Sequence, residues 1–115
     1  MEKLTLTDDD TVLRRIPNQP SYVKDNDKIS SGNFTGSNRS VYIERLTTFE
    51  TVMTNHENYG LARLTVKQIR DCGCEVIHDP KSDDYAHAII PKTTPGSARQ
   101  LAQAAEIIRM PKMNA

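Results

Sequence analysis

Tryptophan is absent from this sequence, and two phenylalanines with four tyrosines make up its whole aromatic complement. With aromatics at 5%, only a small core is expected. No charge sign dominates: fifteen Lys and Arg balance fifteen Asp and Glu. That balance excludes a bulk field drawing the chain to nucleic acid or an anionic membrane, and argues against tight binding of duplex nucleic acid. No apolar run approaches the roughly 18 to 20 residues that span a bilayer, so no membrane association is expected. The first ten residues, ending in Asp8-Asp9-Asp10, lack the basic and apolar regions of a secretory signal, which points to a cytoplasmic location. The two cysteines, Cys72 and Cys74, stand one residue apart and exclude a disulfide framework. Walker and dinucleotide glycine fingerprints are missing, as is the G-x-S-x-G elbow of serine hydrolases.

What is present fits one domain. A chain of 115 residues, 37% hydrophobic and 26% charged, is too short for two cores and too apolar for compositional disorder. Residues 1–10 read as a flexible, solvated arm, and residues 11–112 as a single α+β domain with a mainly antiparallel sheet and about three short helices. Thr11 to Ile16 is β-branched and stops before Pro17, predicting a strand whose alternation sets Arg14 and Arg15 on opposite faces. Residues 17–39 hold two prolines, two glycines and many Asn, Asp and Ser, predicting a long polar loop. Ser40 to Ile43 reads as a strand and Thr47 to Thr54 as a short helix. Thr65 with Gln68 forms a capping box for a second helix ending before Gly73, and Thr94-Pro95 opens a third. Cys74 to Asp79 and Tyr85 to Ile90 predict a hairpin, and Glu106 to Met110 a returning strand.

That hairpin carries the leading chemical expectation. Pairing across residues 80–84 brings His78 opposite His87 or one position off, and two imidazoles can divide into a base and an acid, as cleavage at a ribose 2′-hydroxyl requires. Arg14 or Arg15 would hold the phosphate. A zinc site from Cys72, Cys74, His78 and His87 is disfavoured, because zinc knuckles separate their cysteines by two to four residues. His56 would complete a three-histidine site with His78 and His87, but nothing local fixes it there. No motif identifies a cofactor.

The segments Leu13 to Pro17, Ser30 to Phe34, Ser40 to Tyr42, Asn55 to Ala62, His78 to Pro80 and Ala86 to Ala88 resemble a family of small uncharacterised bacterial proteins, over most of the chain. The resemblance implies an independent cytosolic bacterial domain and brings no activity. The order of an Arg-bearing strand, Ser and Phe in a polar loop and a Val-Tyr strand is more distantly similar to RES and ADP-ribosyltransferase-like domains, which handle NAD. This likeness implies dinucleotide phosphates on Arg14 or Arg15, and Ser31 and Tyr42 near the nicotinamide ribose. His87 would stand in for the late glutamate of those domains, which has no counterpart here. Two functions are therefore expected as alternatives. One is binding or processing of a phosphate-bearing nucleotide, NAD-like or RNA, by Arg14, Arg15, Ser31 and Tyr42 with His78 and His87 as catalytic pair. The other is a non-catalytic module that docks a partner protein, as in a bacterial defence or toxin-related system.

Overall fold

The computed structural model describes residues 2–113. A six-stranded sheet is assembled from β1 (Thr11–Ile16), β4 (Ser37–Ile43), β5 (Gly60–Thr65), β6 (Ile77–His78), β7 (His87–Lys92) and β8 (Glu106–Arg109). Its order is β6-β7-β4-β1-β5-β8, and every pairing is antiparallel. A separate two-stranded hairpin joins β2 (Val23–Lys24) to β3 (Lys28–Ile29). Three helices complete the α+β domain: α1 (Phe49–Met53), α2 (Val66–Asp71) and α3 (Pro95–Ala104). Among the described residues no helix is long and apolar enough to cross a membrane.

The helix starts follow local chemistry. Thr65 Oγ1 accepts from Gln68 N at 2.9 Å while the Gln68 side chain accepts from Thr65 N, and Thr94 and Ser97 exchange the same two bonds at α3. These boxes satisfy amide groups that a helix start otherwise leaves without partners.

Strand alternation divides the interior into two clusters. Val12 and Ile16 of β1, Val41 and Ile43 of β4, Ala62 and Leu64 of β5 and Ala88 and Ile90 of β7 face α2 and α3, meeting Val66, Ile69, Ala98 and Leu101. Leu13, Tyr42 and Leu61 point the other way and are covered by Val52 and Met53 of α1. Because α1 has only five residues, it covers part of that second face. The remainder carries Arg15, Ser40 and His87.

Two segments depart from their sequence reading. The arm expected to be flexible is docked: Leu6 is buried, Val66 N and Lys67 N donate to the carbonyls of Asp10 and Asp8, and Arg70 Nη1 lies 2.7 Å from Asp8. The long polar loop is built rather than loose. It contains the β2–β3 hairpin and two turns of 3-10 helix, Pro20–Tyr22 and Ser31–Asn33, and it plugs Phe34 into the core. Asn33, also buried, ties the segment together by donating to the carbonyls of Tyr22 and Ser30. Its Asn and Asp content reads as turn chemistry in either case, with Asn26 and Asp27 in the left-handed region those residues tolerate.

At the β5–β8 edge, Gly60 permits a close backbone crossing. A Cβ there would sit 2.5 Å from the Arg109 carbonyl oxygen and 2.8 Å from Pro111. Gly60→Ala is expected to cost about 1–3 kcal/mol through overpacking, read as a lower urea midpoint at unchanged slope. An unchanged midpoint would mean that the edge yields freely.

Candidate functional site

The open part of the second face is built around β4. Ser40 and Tyr42 share that face by alternation, and across the β4–β7 ladder Tyr42 is the direct partner of His87. The Tyr42 and His87 rings meet edge-on with centroids 5.8 Å apart. Arg15 reaches the same place from β1, its guanidinium 4.7 Å from the centre of the Tyr42 ring and bonded to the Tyr42 hydroxyl. The turn after α1 brings in two more rings. With Asn55 in the left-handed region, His56 folds back so that Arg15 Nη1 lies 2.6 Å from its Nδ1 and 3.0 Å from its Nε2, and Tyr59 packs edge-on against it. Nδ1 also lies 2.9 Å from the Thr54 carbonyl, so that acceptor and the Arg15 donor make opposite demands on the same nitrogen.

No such conflict arises at His87. Its Nδ1 lies 2.9 Å from the backbone carbonyl of Asp79 and 3.2 Å from the Asp79 carboxylate, both acceptors. In the neutral ring Nδ1 must therefore hold the proton, leaving Nε2 bare toward Ser40 Oγ at 3.0 Å. Lys81, 3.1 Å from Asp79, holds that carboxyl below its usual range by a hydrogen bond, with a smaller contribution from the charge of His87.

The expected pairing of His78 with His87 is corrected by register. His78 is opposite Ala88, so the two imidazoles project to opposite faces of the sheet. His78 is 1% exposed, and both its nitrogens are committed: Nδ1 accepts from Leu4 N at 2.8 Å and Nε2 donates to the Tyr85 carbonyl at 2.6 Å. Ser31 also stands apart, in a turn packed on α3 on the opposite side of the sheet, where its carbonyl accepts from Thr35.

Alternation separates the arginines as expected. Arg14 points to the core side, where Nη1 donates to the Ser40 carbonyl at 2.9 Å and Nε is buried without a partner. Burial, assisted by the neighbouring charge of Arg39, pushes its pKa down to about 10. A base with a depressed folded pKa opposes folding while it is charged, and stability recovers as pH rises from about 10 toward the higher unfolded value. At neutral pH that opposition amounts to about 3 kcal/mol, and a stranded Ser40 carbonyl would return about 1–2 kcal/mol of it. Arg14→Met is therefore expected to raise stability by about 1 kcal/mol in a denaturant titration. A loss of stability would show that the guanidinium contributes more by its bond than it costs by its burial.

Neither Arg14 nor Arg15 forms an ion pair among the described residues. The paired acids are Glu44 and Glu106 with Arg63, Asp8 and Glu75 with Arg70, Asp10 with Arg45, Asp71 with Lys67, and Asp79 with Lys81 beside His87. On the open face Arg15 therefore stands without a carboxylate partner among the described residues, and the nearest acid named there, Asp79, is taken by Lys81 and His87. Five of the surface hollows among the described residues, of about 240 to 480 Å³, are lined by other residues and not by Arg15, Tyr42, His56 or His87.

No three His, Cys, Asp or Glu side chains among the described residues gather as a metal ion would need. Burial pushes the Cys72 thiol up, away from the thiolate form that binds metal. Ser40 and its link to His87 were missed by sequence reasoning, although alternation from Tyr42 would have put it on the right face. His56 had no signal locating it, since a turn and not a periodic element carries it. Comparison of the chain with protein-family models, with curated proteins and with solved structures returned no match.

Proposed function

We propose that the open face around Arg15 binds a phosphate-bearing nucleotide, NAD-like or RNA, with Arg15 and the Tyr42 hydroxyl on phosphate and His56 and His87 flanking it. The observation that carries this reading is the state of Arg15: half-buried and, among the described residues, bonded only to Tyr42 and His56 and without a carboxylate to neutralise it. A guanidinium left in that condition retains donors and charge for phosphate oxygens, and the partly exposed rings of Tyr59, His56 and His87 supply surface for a base or ribose. His56 takes the place that His78 was expected to fill. The likeness to NAD-handling domains supports the same ligand class, and the resemblance to small bacterial proteins supports a bacterial cytoplasm as its setting.

Calorimetric titration of NAD, ADP-ribose, mononucleotides and short single-stranded RNA tests the proposal. One member should bind, and Arg15→Ala should weaken it by about ten- to a hundredfold, the loss typical of hydrogen bonds to a charged group. Equal affinity in the variant would remove Arg15 from the site. That the five hollows described lie away from this face favours a second reading, a non-catalytic module that docks a partner protein, and a panel with no binder would leave that one standing.

A further inference from the structure

We propose that Ser40, His87 and Asp79 form a nucleophilic relay, in which Ser40 attacks a phosphate ester of the ligand held by Arg15. The inference deepens the nucleotide reading and rests on it for the identity of the electrophile.

The direction of the Ser40–His87 bond carries the argument. Backbone carbonyls do not titrate, so the Asp79 carbonyl fixes the His87 proton on Nδ1 whenever the ring is neutral. Nε2 then has only a lone pair to offer, and the 3.0 Å contact requires Ser40 Oγ to be the donor. A hydroxyl whose proton is directed at an imidazole, with the ring held by a carboxylate on its far side, has the arrangement that activates serine nucleophiles. The Asp79 carboxylate, 3.2 Å from Nδ1, would stabilise the imidazolium that forms. Ser40 is half-buried on the face that carries Tyr42, and Tyr42 in turn contacts both Arg15 and His87. Of the donors for phosphate oxygens, the Tyr42 hydroxyl thus comes from the nucleophile's own strand and Arg15 from the neighbouring β1.

The step balances without any further reagent except water. Ser40 Oγ bonds to phosphorus as its proton passes to His87 Nε2, and the ester P–O bond breaks. The departing alkoxide takes the proton from Nε2. A water molecule then gives a proton to Nε2 and its oxygen to phosphorus, the Ser40–phosphorus bond breaks, and Ser40 recovers its proton from the imidazolium. No electrons are gained or lost by the protein.

A fluorophosphonate tests the relay directly, because it phosphonylates an activated serine with loss of fluoride and needs no knowledge of the ligand. Intact mass should rise by one phosphonyl group, and fragmentation should place it on Ser40. Ser40→Ala should abolish the adduct, and His87→Ala should slow its formation by about a hundredfold or more. Asp79→Asn should slow it less than His87→Ala, since the backbone carbonyl still holds Nδ1. Each variant is compared at matched thermal midpoints. An adduct confined to other residues, or none on protein that melts cooperatively, overturns the relay. Nucleotide titration of Ser40→Ala separates the two readings: retained affinity with an unlabelled wild type removes the relay alone, whereas labelling of Ser40 with no nucleotide bound retains the relay and removes the ligand.

Discussion

Phe34→Ala is expected to lower the unfolding free energy by about 3–5 kcal/mol, the cost of truncating a fully buried aromatic. Against a total of roughly 5–15 kcal/mol for a typical domain, that is enough to put folding at 37 °C in question. Phe34 heads the large side chains that are fully buried, at 0% exposure. The aromatic complement is so small that no second ring in the main core cluster can take up its volume: of the tyrosines only Tyr22 borders that cluster. The residue also anchors its own segment, because Thr93 Oγ1 donates to its carbonyl at 2.7 Å and Asn33 beside it holds the preceding turns. The loss should therefore be uneven. Limited proteolysis should cut residues 17–33 before the sheet opens, and a urea titration gives the total. A shift below about 1 kcal/mol would mean that neighbouring aliphatic side chains close the cavity, contrary to the usual partial relaxation of cores.

Much of this architecture was legible because its elements obey local rules. The strand at Thr11 to Ile16, the capping boxes at Thr65 and Thr94, and the opposite orientation of Arg14 and Arg15 follow from propensity, hydrogen-bonding chemistry and period two. The arm and the loop were illegible for a shared reason. Both are polar by composition, and each is fixed by a few long-range anchors, Leu6 and Arg70 for the arm, Phe34 and Asn33 for the loop, whose partners lie far away in sequence. The proximity of the candidate residues was legible at one point and not at another. Tyr42 and His87 were both identified, and they meet as direct partners on adjacent strands. The pairing of His78 with His87 depended on a hairpin register that composition leaves open, and a displacement of one residue moved His78 to the other face. Ser40 was passed over because serine on a strand carries no signal until its neighbour across the ladder is known.

That displacement separates the expected consequences of removing the two histidines. His78→Ala should cost about 2–4 kcal/mol, from the cavity left by a buried ring and from two stranded backbone groups. The groups are the Leu4 amide, which donates to Nδ1, and the Tyr85 carbonyl, which accepts from Nε2. Tyr85 also packs edge-on against the ring at 4.8 Å and donates from its hydroxyl to the Glu2 carbonyl, so the damage should spread along the docked arm. Hydrogen exchange at Leu4 should rise well above the change in global stability, while nucleotide affinity of the folded fraction stays as in the wild type. His87→Ala should do the reverse. Its side chain is 12% exposed and its truncation strands the Ser40 hydroxyl and the Asp79 carbonyl, so the stability cost should be about 1–2 kcal/mol, below that of His78→Ala, while serine labelling collapses far beyond the unfolded fraction. Thermal melts and labelling rates measured on both variants give a crossed pattern, large against small and small against large. If both variants instead lose labelling only in proportion to their unfolded fraction, His87 is a structural residue like His78, and the open face has no chemistry of its own.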